Sequence, residues 1–301
     1  MSAATQLLTP YDLAKFANLQ LLAQQVMEGF CAGLHRSPHH GHSVEFREHR
    51  SYVRGDEIRS IDWKLYGKTD RLYIRQYEEE TNLRATILLD QSGSMKYGGL
   101  RAKGVSKHHY AVRVAACLAY LLVSQQDGIG LLTFDSDAKE YIPPRSKRTH
   151  LHAMFEILER SKPGEETDLA KVLRGLAPKI RRRGLLILVS DCFGDVEAML
   201  SALAYYRHAK NDVMLLQIWD PDELDFPFFQ RTEFRSLEQL DRKQLVDPAT
   251  LKRRYLQRLA EFREALSDGC RRLRIEHVSL VTNQPYADAL AAFVAMRGRL
   301  G

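Results

Sequence analysis

Asp90, Ser92 and Ser94 alternate through Leu88-Leu89-Asp90-Gln91-Ser92-Gly93-Ser94-Met95, and of all the residues in this chain of 301 they carry the clearest chemistry. Alternate residues of a tight loop can turn to one side, so this spacing offers one carboxylate and two hydroxyls to a single cation. Hard oxygen donors of this kind suit magnesium or manganese, which favour octahedral coordination and usually retain some water. A lone loop of this composition is also what an ordinary turn looks like, with Asp and Ser satisfying backbone groups. Two later elements carry matching donors. Thr167 stands in Gly164-Glu165-Glu166-Thr167-Asp168-Leu169, and Asp191 closes Leu188-Val189-Ser190-Asp191. The set amounts to two carboxylates and three hydroxyls, without a thiol.

Hydropathy shows which elements must bring these residues together. Apolar runs at 85–89, 128–134, 185–189, 213–219 and 277–281, with a shorter one near 139–142, have the length and flanking Asp, Gly or Pro of buried strands. Helical periodicity falls between them, at 108–124, 150–161, 168–179, 196–208 and 286–296. Such alternation predicts an α/β fold: a doubly wound, mostly parallel sheet with helices on both faces. Ligands of these sheets lie beyond the carboxyl ends of the strands, where the strand order reverses. Asp90 and Asp191 each end a strand and Thr167 begins a helix, so all three are expected at that edge. Asp168 and Asp195 have the position and residue type of helix N-caps.

Flanking this core are segments of different character. Residues 10–30 have a helical pattern, and a turn-rich link follows at 37–43. The link and its approach carry His35, His39, His40 and His42, but no helical HxxxH pair and no Cys or carboxylate cluster accompanies them, so a metal site is not inferred there. Charges and aromatics alternate through 44–80, which predicts a small β-rich appendage with Trp63 as its anchor on the core. The expected organisation is therefore 1–42 as N-terminal helix and link, 43–82 as appendage, and 83–301 as the α/β domain. Within the last, 222–246 reads as an insertion, with a strand near 232–235, that packs on the appendage.

Apolar residues make up 45% of the chain and charged residues 27%, fractions of a globular protein that exclude disorder and collagen-like structure. Arg, Asp, Gln or Lys interrupts every hydrophobic stretch before membrane-span length, and the first residues lack a leader-like apolar core. Cys31, Cys117, Cys192 and Cys270 are dispersed with no CxxC, which suggests reduced thiols and a cytoplasmic protein. The net charge of +6 is concentrated: residues 241–275 hold ten Lys and Arg against five acids. There Leu251, Tyr255, Leu259, Phe262, Leu266, Cys270 and Leu273 form one apolar helical stripe whose remaining surface is basic. That surface reads either as a solvated face or as a docking surface for an acidic partner, with Arg253, Arg254 and Arg258 as its candidate contacts.

DxSxS, then Thr, then Asp is a more specific order than any one of its parts, and with it the chain resembles the von Willebrand factor A (vWA) domain with a metal-ion-dependent adhesion site (MIDAS). The resemblance implies that Asp90, Ser92, Ser94, Thr167 and Asp191 hold Mg2+, or Mn2+ or Ca2+, and that the cation accepts an acidic side chain from a protein client. A narrower resemblance is carried by Arg54-Gly55-Asp56, Arg59-Ser60-Ile61-Asp62-Trp63, Asp220-Pro221-Asp222-Glu223, Val246-Asp247-Pro248 and Thr282-Asn283-Gln284-Pro285. These look like the bacterial family DUF58, domain of unknown function 58, in which such a segment precedes a vWA-like core. It implies a non-enzymatic interaction module that partners an AAA+ ATPase of the MoxR class in chaperone-like assembly. Two other functions compete. A metal-dependent phosphoester hydrolase would need a base, and none is placed in the three loops. Nucleic-acid binding through the basic helix would predict steep salt dependence without a metal requirement.

Overall fold

Short apolar runs bounded by Asp, Gly or Pro become the strands of one central sheet, and the longer amphipathic stretches between them become its covering helices. The structure, a computed structural model, describes residues 18–34, 49–52, 63–75, 83–164, 168–178, 180, 183–229, 232–235, 237, 243–246 and 248–300. In chain order these form α1 (Leu19–Leu34), β1 (His49–Ser51), α2 (Trp63–Thr69), β2 (Tyr73–Arg75), β3 (Arg84–Asp90), α3 (Lys107–Ser124), β4 (Gly128–Phe134) and β5 (Ala138–Arg145). There follow α4 (Arg148–Arg160), α5 (Leu169–Leu176), β6 (Leu185–Ser190), α6 (Val196–His208), β7 (Asp212–Trp219) and α7 (Pro221–Asp225). The last elements are β8 (Thr232–Arg235), β9 (Lys243–Val246), α8 (Pro248–Arg272), β10 (Glu276–Val281) and α9 (Ala287–Leu300). Among the described residues no helix is long and apolar enough to cross a membrane.

The chain divides into two compact units, one of Met1–Gly33 with Leu83–Gly301 and one of Leu34–Asn82. In the smaller unit β1 and β2 pair antiparallel, with His49 opposite Arg75. Between them the chain turns through α2, a helix that the alternation of charges and aromatics does not announce. Trp63 is 58% exposed and meets Tyr66 edge-on, one helical turn away.

The larger unit holds a six-stranded sheet in the order β10-β7-β6-β3-β4-β5. All its neighbours are parallel except β4 and β5. β5 runs on through Pro143 and Pro144, where the sequence alone suggested a stop. An edge strand tolerates proline because one side of its backbone makes no ladder. Gly130 lets the pair close at this point, since a Cβ there would stand 2.6 Å from the Ile142 carbonyl oxygen.

Alternate residues of β3 serve opposite layers. Ala85, Ile87 and Leu89 join a cluster with Leu22 and Val26 of α1, Val114 and Leu118 of α3, Met154 of α4 and Phe293 of α9. Leu88 faces the other layer, with Leu173 of α5, Leu203 of α6 and Leu266 of α8. α3 is buried almost all round, lying between the sheet and its own covering helices. The sheet order has one reversal: β4 lies on one side of β3, and the chain returns to place β6 on the other. Because Ile87 is fully buried on this central strand, Ile87→Ala is expected to cost roughly 2–5 kcal/mol, read as a lowered urea midpoint at unchanged slope.

Candidate functional site

The reversal sets β3 beside β6, and in a sheet of this kind the crevice for ligands lies at their carboxyl ends. Asp90 ends β3 and Ser190 ends β6, and parallel pairing of Leu89 with Val189 brings those ends level. The Ser190 hydroxyl donates to Asp90 Oδ2 at 2.5 Å, and the Ser92 amide donates to Asp90 Oδ1 at 2.7 Å. The second bond is an Asx-type turn, which folds the loop back on itself and sets Ser92 Oγ 3.0 Å from Ser94 Oγ. Asp90, Ser92 and Asp191 are buried, and Ser94 is half-buried. Beyond the loop, the Gly164 amide donates to the Gln91 carbonyl at 2.6 Å. Thr167 lies outside the described residues, as do His35, His39, His40 and His42. Asp168 and Asp195 cap α5 and α6, accepting from the amides of Lys171 and Ala198 at 2.9 Å each.

Asp191 is held from two sides. The Phe193 amide donates to its Oδ1 at 3.1 Å, an approach made possible by Cys192 in the left-handed region at φ 61°. Such a conformation costs a non-glycine residue on the order of 1–2 kcal/mol, so the surrounding contacts must hold it. On the other side, Lys107 Nζ donates to Asp191 Oδ2 at 2.8 Å and to Glu223 Oε1 at 2.6 Å. The Lys107 side chain is fully buried, and the Phe193 ring lies 4.7 Å from its nitrogen. Burial works against the ammonium, but Asp191 and Glu223 outweigh it and raise its pKa above the usual lysine value. Asp90 has no such cation among the described residues. Burial, and then the nearby Asp191 carboxylate, pushes its pKa up to about 7 despite the bonds from Ser190 and Ser92. Burial likewise lifts the Cys192 thiol well above its ordinary range.

A family model described as Protein of unknown function DUF58 matches residues 48–265. The chain belongs to the DUF58 family. It is 27% identical over 296 residues to the uncharacterized protein Rv1480 of Mycobacterium tuberculosis, covering 96% of this chain and 91% of that one. The same values hold for the uncharacterized protein Mb1516 of Mycobacterium bovis. Among solved structures, a conserved hypothetical protein BatB from Bacteroides thetaiotaomicron is 15% identical, covers 72% of this chain and 99% of its own, and has a TM-score of 0.47. An aerotolerance-related membrane protein from Bacteroides fragilis gives 16%, 72%, 99% and 0.49. The vWA domain of SpRpn10 gives 13%, 69%, 94% and 0.37. At these TM-scores the fold of the DUF58 chain rests on its own strand order.

Two residues at this candidate site are not assigned to it from the sequence: Lys107, which falls in no quoted motif, and Glu223, which stands in the Asp220-Pro221-Asp222-Glu223 string without a role. Lys96, the cation nearest the DxSxS loop in sequence, is exposed. What could have revealed Lys107 is its helix: α3 is apolar over most of its length and buried, so a lysine in its first turn can be drawn out of water and then needs acids. Glu223 closes a capping box at the start of α7, where its Oε2 accepts from the Asp220 amide at 2.9 Å. The same segment grips the loop after β3. Asp220 Oδ2 accepts from the Gly99 amide at 2.8 Å, while Arg101 pairs with Asp222 and Asp225. A Cβ at Gly99 would overlap the Asp220 and Asp222 carboxylates, so this grip depends on close backbone approach at that glycine. Arg253, Arg254 and Arg258 lie well apart from this arrangement in sequence, exposed on α8 and without an ion pair to any described residue.

The raised Asp90 pKa has a definite consequence for stability. A carboxyl whose folded pKa lies above its unfolded value of 3.8 contributes stability that is complete below that value and lost as pH rises through about 7. In EDTA, Asp90→Asn is therefore expected to match wild type near pH 3.5 and to exceed it at pH 8 by on the order of 3 kcal/mol, as read from urea unfolding at each pH.

Proposed function

We propose that this DUF58 protein is a non-enzymatic, divalent-cation-dependent protein-interaction module of the vWA type. In this reading it works with an AAA+ ATPase of the MoxR class in the assembly or maturation of other proteins. The observation that carries the cation is Asp90, a buried carboxylate with no protein cation of its own among the described residues and with two hydroxyls on the same loop. Burying such a charge is costly unless something positive answers it. Asp90, Ser92 and Ser94 are the donors that would hold Mg2+, with Mn2+ or Ca2+ as substitutes, and the motif order adds Thr167 and Asp191. A divalent ion bound there supplies a coordination position for an acidic side chain of the client. The MoxR-class partner follows from the family resemblance.

The binding reading is favoured over phosphoester hydrolysis by how the hydroxyls are engaged. The described partner of Ser92 Oγ is Ser94 Oγ, and His108 Nε2 is turned toward Ser161 Oγ at 3.3 Å. Among the described residues no histidine is bonded to a serine of the DxSxS loop, and the Ser161 hydroxyl donates to the Leu158 carbonyl at 2.8 Å. A second contact surface is proposed on α8, where Arg253, Arg254 and Arg258 offer positive charge to an acidic partner. Lys252, in the same stretch, stands 5.9 Å from the ring of Phe229, which is 88% exposed. An exposed aromatic beside unpaired cations is the composition of a protein-binding anchor with a charged rim.

The test is affinity capture from lysate with wild type and Asp90→Ala, each in magnesium and in EDTA. One AAA+ ATPase is expected with wild type in magnesium and in none of the other three samples; equal recovery in all four overturns the reading. Changing Arg253, Arg254 and Arg258 to Glu is expected to weaken capture of that ATPase or of its client by at least about tenfold at low salt, while leaving Mn2+ binding unchanged.

A further inference from the structure

We infer that Lys107 is a positioning residue that sets the charge felt by a cation at the Asp90 loop, and that Glu223 sets how much of that charge is felt. The inference rests on the cation-site reading above. A fully buried ammonium lies between two carboxylates, 2.8 Å from Asp191 of the crevice and 2.6 Å from Glu223 of α7. The Phe193 ring covers it, itself packed edge-on against Trp219 and beside Phe262. Water therefore has little part in screening these charges, and each acts on its neighbours at reduced dielectric.

The charges divide unevenly. Asp191 directly follows Ser190, whose hydroxyl donates to Asp90 Oδ2 at 2.5 Å, so both carboxylates stand in one strand-end cluster. Lys107 removes the effect of one negative charge from that pair, and Glu223 in turn draws part of the ammonium away from the crevice. With all three in place, Asp191, Lys107 and Glu223 together carry one negative charge. Without Lys107 the group carries two, and without Glu223 it is neutral. A divalent cation at Asp90 is held more tightly in the first case and more loosely in the second. The native arrangement lies between them, at a strength where an acidic side chain from a partner still adds to the attraction. Glu223 also ties this balance to α8, since Tyr255 donates to its carbonyl at 2.8 Å.

The prediction is a pair of opposite shifts. Mn2+ affinity is measured by the loss of the free-ion electron paramagnetic resonance signal, on full-length wild type, Lys107→Gln and Glu223→Gln. Lys107→Gln is expected to bind Mn2+ about tenfold more tightly than wild type and Glu223→Gln about tenfold more weakly. A merely structural role would weaken both, because each variant breaks the same buried network. Both weaker, or both unchanged, overturns the inference while leaving the cation site standing. Absence of Mn2+ binding by wild type overturns the cation-site reading and this inference with it. Should Lys107→Gln fail to fold by circular dichroism, the double variant Lys107→Gln with Glu223→Gln, whose remaining charge equals that of wild type, takes its place: Mn2+ binding restored toward wild type supports the inference, and binding as weak as that of Glu223→Gln or weaker overturns it.

Discussion

Everything at the site depends on one constraint of chain path: the sheet grows away from β3 in one direction and then in the other. Two parallel strands that end level, with their connections leaving to opposite layers, cannot be roofed by either connection. The gap is polar because strand ends expose backbone groups there, and in this chain Asp90, Ser92, Ser190 and Asp191 fill it. The loops that border it are fixed by contacts with one another. Gln91 receives Gly164, Gly99 reaches Asp220, and Lys107 joins Asp191 to Glu223.

Much of this was legible in the sequence, and the rest was not for physical reasons. Strands 128–134 and 185–189 announced themselves because a parallel sheet covered on both sides makes continuous apolar runs. The 251–273 stripe was equally plain, and Leu259, Leu266 and Cys270 are indeed its buried members. Asp90, Ser92, Ser94 and Asp191 were found from motif order, which encodes strand ends. Lys107 and Glu223 were hidden because their partnership spans 116 residues, and nothing in either local segment names the other. α2 was missed because seven residues are too few for a helical period to stand out from alternating aromatics. β5 was cut short because the rule that proline ends strands does not apply at a sheet edge.

The site also shows electrostatic demands resolved in two ways within a few residues. Asp191 is answered inside the protein, by an ammonium and an amide. Among the described residues Asp90 is answered by hydrogen bonds alone, which lower its cost without supplying positive charge. A fold selected for stability alone would have little reason to leave the second carboxylate in that condition, since replacing a strained buried charge commonly stabilises a protein.

α1 bears on where the larger unit begins. Leu22, Ala23, Val26 and Phe30 belong to the same apolar cluster as α3 and α9, and the Leu19 amide donates to Glu159 of α4 at 3.2 Å. Residues 34–82 are thus spliced into the α/β unit between its first helix and its first strand. A polypeptide starting at Leu83 would carry every strand of the large sheet and still be an unfinished body, with an open furrow where α1 belongs. Expressed alone, it would present that furrow to solvent as a sticky, apolar scar, and residues 19–34 added back as a separate peptide are the natural plug for it.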